Sequence, residues 1–220
     1  MSKKLIAACM AIAAFAALAI ASTASASPVL THPTGTVQAT GATITGTNVG
    51  NTLMTDTNGK AITECTNASL TGELTKNSGT AIEGNVTAAT FTGTGTEGNC
   101  TGTFFSSPKV TPGVANGLPW CIRASSAFPT ADEVQIRGGK CSEPAREIRF
   151  ALDLGSITCL YARSSTEPII GTLTTEPSDA VVHITKQLFK PVSTPFPCPE
   201  EGLLDMSFTL TIGGTAAYFS

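Results

Sequence analysis

Glu147-Ile148-Arg149-Phe150-Ala151-Leu152-Asp153-Leu154 alternates with a strict period of two. Ile148, Phe150, Leu152 and Leu154 point to one side, while Glu147, Arg149 and Asp153 point to the other. That spacing puts all the large apolar groups on one face of an extended chain, which is the mark of a half-buried antiparallel strand. Met206, Phe208, Leu210 and Ile212, separated by Ser207, Thr209 and Thr211, repeat it, and Val134 and Ile136 repeat it on a shorter scale. Beyond residue 26 no segment sustains apolar residues at i, i+3, i+4 and i+7, the spacing that a helix would need. Thr, Gly, Ser, Val and Ile dominate, which suits pleated surfaces and turns. The expected fold is all-β, an antiparallel β-sandwich-like structure.

The first 26 of the 220 residues read as an address. Lys3 and Lys4 form a positive n-region, Leu5 to Ile20 is an apolar run, and Ser22-Thr23-Ala24-Ser25-Ala26 offers small residues for cleavage after Ala26. Ile6-Ala7-Ala8-Cys9 matches a lipoprotein box in form, but the apolar run continues past it. The reading is a signal peptide, so the expected location is secreted or cell-surface. Loss of Lys3 and Lys4 takes the formal net charge from −3 to −5. A mildly acidic chain without Lys/Arg clusters has no electrostatic footprint for nucleic acid. The mature sequence has no apolar stretch long enough for a membrane-spanning helix.

Six cysteines remain after cleavage: Cys65, Cys100, Cys121, Cys141, Cys159 and Cys198. An even number in an exported chain reads as a disulfide framework with 15 possible pairings. The C-x-x-C spacing that metal binding or redox catalysis favours is missing. An internal echo narrows the pairings. Ile62-Thr63-Glu64-Cys65 is answered by Ile157-Thr158-Cys159, and Gly72-Glu73-Leu74-Thr75 by Gly171-Thr172-Leu173-Thr174. Phe91 precedes Cys100, and Phe189 precedes Cys198, by the same interval. Two related β units, 52–140 and 147–220, would follow a 27–51 N-terminal extended segment. Chance similarity between Thr/Gly-rich strands is the competing explanation. Under duplication the bridges are Cys65–Cys100 and Cys159–Cys198, with Cys121–Cys141 stapling a hairpin. Each closes a loop worth about 3–4 kcal/mol in the chain-entropy account.

Residues that carry chemistry are sparse. His32 lies in a Pro-rich stretch, Pro28 to Pro33, expected to be mobile, and His183 is expected on the outer side of a strand. Asp132-Glu133 and Glu200-Glu201 are neighbours in sequence, so on a strand they would face opposite ways rather than form a glycosidase couple. Asp56-Thr57-Asn58-Gly59 holds a fragment of a calcium loop and reads more simply as a hairpin turn. No catalytic residue, metal ligand or cofactor is assigned. Trp120, in Gly117-Leu118-Pro119-Trp120-Cys121, has two readings: an exposed platform for a ligand, or a core residue packed on a disulfide.

The run from Cys65 through Leu70-Thr71-Gly72 and Asn85 to Gly95, then Cys100 and Gly117-Leu118-Pro119-Trp120, resembles a bacterial group. These are the exported PraB-like proteins, activators of alkane oxidation. The resemblance spans residues 60–165 and rests on short motifs. The chain departs from it in Cys121 and in its repeat-like second half. The resemblance implies a secreted or surface-associated protein linked to growth on apolar carbon sources or to biofilm, with no catalytic residues to carry over. The functional expectation is a non-enzymatic exported protein with a structural, adhesive or surface-interaction role among cell-surface or extracellular-matrix components. The alternative is a secreted binding module for carbohydrate or apolar small molecules that uses Trp120.

Overall fold

The fold is described from a computed structural model covering residues 28–103, 107–112, 117–130, 132–176, 179–193 and 196–219. The expected signal peptide, its expected cleavage site and Cys9 lie outside these residues. Strand accounts for 59% of the described residues and helix for 2%, so the fold is all-β. The strands are β1 (Leu30–Thr31), β2 (Thr43–Asn48), β3 (Thr52–Thr55), β4 (Ala61–Cys65), β5 (Asn67–Ser78), β6 (Ala81–Thr92), β7 (Lys109–Pro112) and β8 (Trp120–Ser125). They continue with β9 (Glu133–Gly138), β10 (Ile148–Asp153), β11 (Thr158–Arg163), β12 (Ile169–Thr175), β13 (Ala180–Ser193), β14 (Gly202–Ile212), β15 (Thr215–Ala216) and β16 (Tyr218–Phe219). The alternating stretches quoted above became β10, β14 and β9.

Eight strands close on themselves in the order β2-β5-β6-β8-β9-β12-β13-β14, and β14 returns to β2. Every pairing is antiparallel, so the result is a closed eight-strand barrel with further strands outside it. The segment 27–51, expected as an extended lead-in, instead supplies β2, the strand that closes the barrel. Closure follows from long strands that change partners. In β13, residues 180–184 pair β12 inside the barrel and residues 190–193 pair β11 outside it. In β14, residues 208–212 pair β2 and residues 203–205 pair β3. Thus β3, β4, β7, β10 and β11 build an outer sheet from the same long strands.

The core is continuous through both parts. Phe208, Leu210 and Ile212 of β14 and Ile82 and Val86 of β6 fill the barrel, and Met54, Ile62, Leu152 and Phe189 fill the space beside it. Cys65 is bonded to Cys100, Cys121 to Cys141 and Cys159 to Cys198. Phe91 and Phe189, the two residues set at equal distance before Cys100 and Cys198, both touch Phe150, with ring centroids 5.7 and 5.3 Å away.

Candidate functional site

Trp120 opens β8, and Ile122 and Ala124 follow it on the same face. That face is the barrel interior. Cys121 therefore points outward, where Cys141 bonds it and donates its own N–H to Asn85 Oδ1 at 2.8 Å. Trp120 is only 2% exposed, and its ring packs 5.4 Å from Phe150. The exposed-platform reading is overturned: strand alternation turns the indole inward because the bridge is on the outside. Its Nε1–H has no hydrogen-bond partner, a debit of about 1–3 kcal/mol for a buried donor.

Below Trp120 the barrel contains an apolar cavity of about 40 Å³. Ile44, Ile82, Val86, Ile122, Ala124 and Val134 are part of its wall. Leu30 closes one end, carried by a strap of chain that runs from Val29 to Gln38 across the barrel. The strap is tied by Asn77 of β5. Leu30 N–H donates to Asn77 Oδ1 at 2.9 Å, and Asn77 Nδ2 donates to the carbonyls of Leu30 at 2.7 Å and Gln38 at 3.0 Å. Two register pairs, Leu30 with Phe219 and Thr31 with Tyr218, add a short ladder. The Pro28–Pro33 stretch, expected to be mobile, is thus docked, because its one large apolar residue has an apolar hole to fill. His32 lies in the strap, its N–H donating to the Thr36 carbonyl at 2.7 Å.

His183 lies on the outer face of the barrel, as expected, but it does not stand alone. Its register partner is Ser207 on β14, with Nδ1 3.0 Å from the hydroxyl. Its Nε2 is 3.1 Å from Glu176 Oε1. The Thr174 hydroxyl and the His183 ring hold the Glu176 carboxyl below the usual carboxylate range. Hydroxyl, imidazole and carboxylate in a row are the parts of an acyl-transfer nucleophile. However, β13 is laddered on both sides at His183, so its backbone N–H groups are committed to the sheet rather than offered to an oxyanion. The three groups form a cross-strand polar contact. Sequence reasoning missed it because only the β13–β14 register brings residues 183 and 207 together.

Asp56 is held within its own turn. Asp56 Oδ1 accepts from the N–H groups of Asn58 and Lys60 at 2.9 and 2.8 Å, and Gly59 takes a φ of +81°. Asp56–Gly59 is therefore a hairpin turn between β3 and β4. Glu200 and Glu201 share an open depression with it. Glu133 Oε1 accepts from Gln135 Nε2 at 2.9 Å.

The outer face of β14, β2, β5 and β6 carries hydroxyls in register. Thr209 lies beside Thr47, Thr47 beside Ser69, and Ser69 beside Thr90. Thr211 lies beside Thr45, and Thr45 beside Thr71. Within the first row, the Ser69 and Thr90 hydroxyls bond at 2.7 Å. Neighbours in a row are about 4.5–5.5 Å apart at Cβ. Successive rows are about 6.7 Å apart along the strand. The same strands point Phe208, Leu210, Ile44 and Leu70 inward, so packing fixes the hydroxyls from behind.

No protein family, curated protein or solved structure matches the chain. Among the described residues no helix is long and apolar enough to cross a membrane.

Proposed function

We propose that the chain is exported and acts without catalysis, as a structural or adhesive protein that presents its hydroxyl rows at the cell surface or in the extracellular matrix. The observation that carries this reading is the Thr/Ser array on β14, β2, β5 and β6, held on a closed barrel with three cross-links. Threonine in register offers alternating methyl and hydroxyl groups at fixed spacing. Its χ1 stiffness means that little side-chain entropy is lost when another surface docks. Disulfides fit an oxidising compartment outside the cytosol.

The test is retention on the surface. The triple change Thr45→Lys, Thr47→Lys and Thr71→Lys puts three charges into the rows, while Thr158→Lys with Thr172→Lys charges exposed strand positions elsewhere. The expected result is that the first variant moves from the cell-envelope fraction into the culture supernatant while the second stays bound. Equal partition of both variants with the parent would refute a role for the rows. N-terminal sequencing of the recovered protein should read from Ser27.

A further inference from the structure

We propose that the barrel interior is a binding site for a compact apolar molecule and that the strap carrying Leu30 is its removable cover. The inference is independent of the hydroxyl rows, which lie on the opposite side of the barrel wall.

Three observations converge. First, the cavity is apolar. Ile44, Ile82, Val86, Ile122, Ala124 and Val134 are part of its wall, and the one polar lining residue, Asn85, turns its amide to the Cys141 N–H on the outer side of the sheet. A polar occupant would find no partners there. At about 40 Å³ the space exceeds the 10–15 Å³ that one water needs, yet a dry apolar cavity favours an apolar guest.

Second, one wall of the cavity is detachable. Leu30 belongs to no barrel strand; it reaches the cavity from the strap. When its side chain withdraws, the space it fills is added to the cavity and an entrance opens at the same end. The accessible guests then extend from a single heavy atom toward a small ring, since a cavity of about 150 Å³ accepts benzene.

Third, the strap is held at two places, by Asn77 and by the two-pair ladder to β16, and it carries a fault. Asn77 makes the three side-chain hydrogen bonds that bind it to β5. Gln38, at the far end of the strap, is 4% exposed, and its Nε2 has no partner. Water reaching that amide when the strap lifts restores its hydrogen bonds, which lowers the cost of opening.

Xenon is the probe, followed by 129Xe NMR on the disulfide-bonded protein with Ser27 as first residue. The wild type is expected to show one saturable bound site. Ala124→Leu, and the milder Val134→Ile, fill the cavity from its wall and should lower uptake by about tenfold or more. Near-UV circular dichroism from Trp120 verifies that each variant is folded. Asn77→Ala removes the latch and should raise the xenon exchange rate with the site otherwise intact. Leu30→Ala should admit benzene. Absence of a saturable xenon site, or uptake that both filling variants leave unchanged, overturns the binding site. An exchange rate unaffected by Asn77→Ala overturns the cover.

Discussion

Phe150 joins parts of the chain that are distant in sequence. It meets Phe91 from β6, Trp120 from β8 and Phe189 from β13, so one ring bridges the barrel and the outer sheet. The other three rings cannot follow a truncated side chain inward, because each is fixed by its own strand. Phe150→Ala should therefore cost about 3–5 kcal/mol, read as a fall in the urea midpoint with an unchanged slope. Phe150→Leu should cost less. Tyr161 is the second residue with a distinct signature. It has no exposed surface, its hydroxyl donates to the Pro199 carbonyl at 2.9 Å, and burial pushes its pKa up to about 12. The folded state keeps the phenol neutral where the unfolded chain, with an ordinary value of 10.0, ionises it. Below pH 10 both states hold the proton and its contribution is complete. Between pH 10 and 12 unfolding releases a proton, so stability declines as pH rises. Tyr161→Phe should remove that part of the alkaline decline and the uppermost step in the absorbance titration of the tyrosines.

At the scale of the element, β13 shows how one strand serves two sheets. Its register against β14 shifts between Ile184 and Gln187, and Lys186 in the shift takes a φ of +46°. That left-handed conformation costs a non-glycine residue about 1–2 kcal/mol. Lys186→Gly should relieve it and raise stability by about 1 kcal/mol after allowance for glycine's extra entropy, measured by thermal unfolding. The strands themselves were legible where alternation was strong: β10, β14 and β9 follow from large apolar residues at every second position. β2 was not. Its inner face presents Ile44 and then Gly46, where a Cβ would lie 3.4 Å from the Leu70 Cβ and 3.5 Å from the Phe208 Cβ. An added Cβ there would make only ordinary van der Waals contacts, but with glycine in place the strand lacks the apolar repeat that would announce it. The same rule would have placed Trp120. Reading Trp120, Ile122 and Ala124 as one face was open from the sequence, whereas the cavity beneath them and the His183–Ser207 contact depend on registers that no local pattern encodes.

The barrel as a whole takes β5, β6, β8 and β9 from residues 52–140 and β12, β13 and β14 from residues 147–220. Neither stretch closes without the other, and the eighth strand, β2, lies before both. Its place is between β14 and β5, the one seam where the two ends of the barrel sheet meet. A closed barrel has no edges, but removing β2 leaves β14 and β5 each with a row of unpaired N–H and C=O groups along a strand whose inner face is apolar. Such edges pair with other copies of the chain. Two N-terminal truncations separate the contribution of β2 from that of the strap. A chain beginning at Thr43 loses Leu30 and the strap but keeps the barrel closed, so it should remain a monomer with native β-sheet circular dichroism and lowered stability. A chain beginning at Thr52 also loses β2 and should elute as aggregates in size-exclusion chromatography under the same conditions. If the shorter chain were monomeric and equally stable, residues 52–220 would hold a complete fold and barrel closure through β2 would be dispensable. The geometry points the other way, because both partners of β2 bury Phe208, Leu210 and Leu70 against the face that it covers.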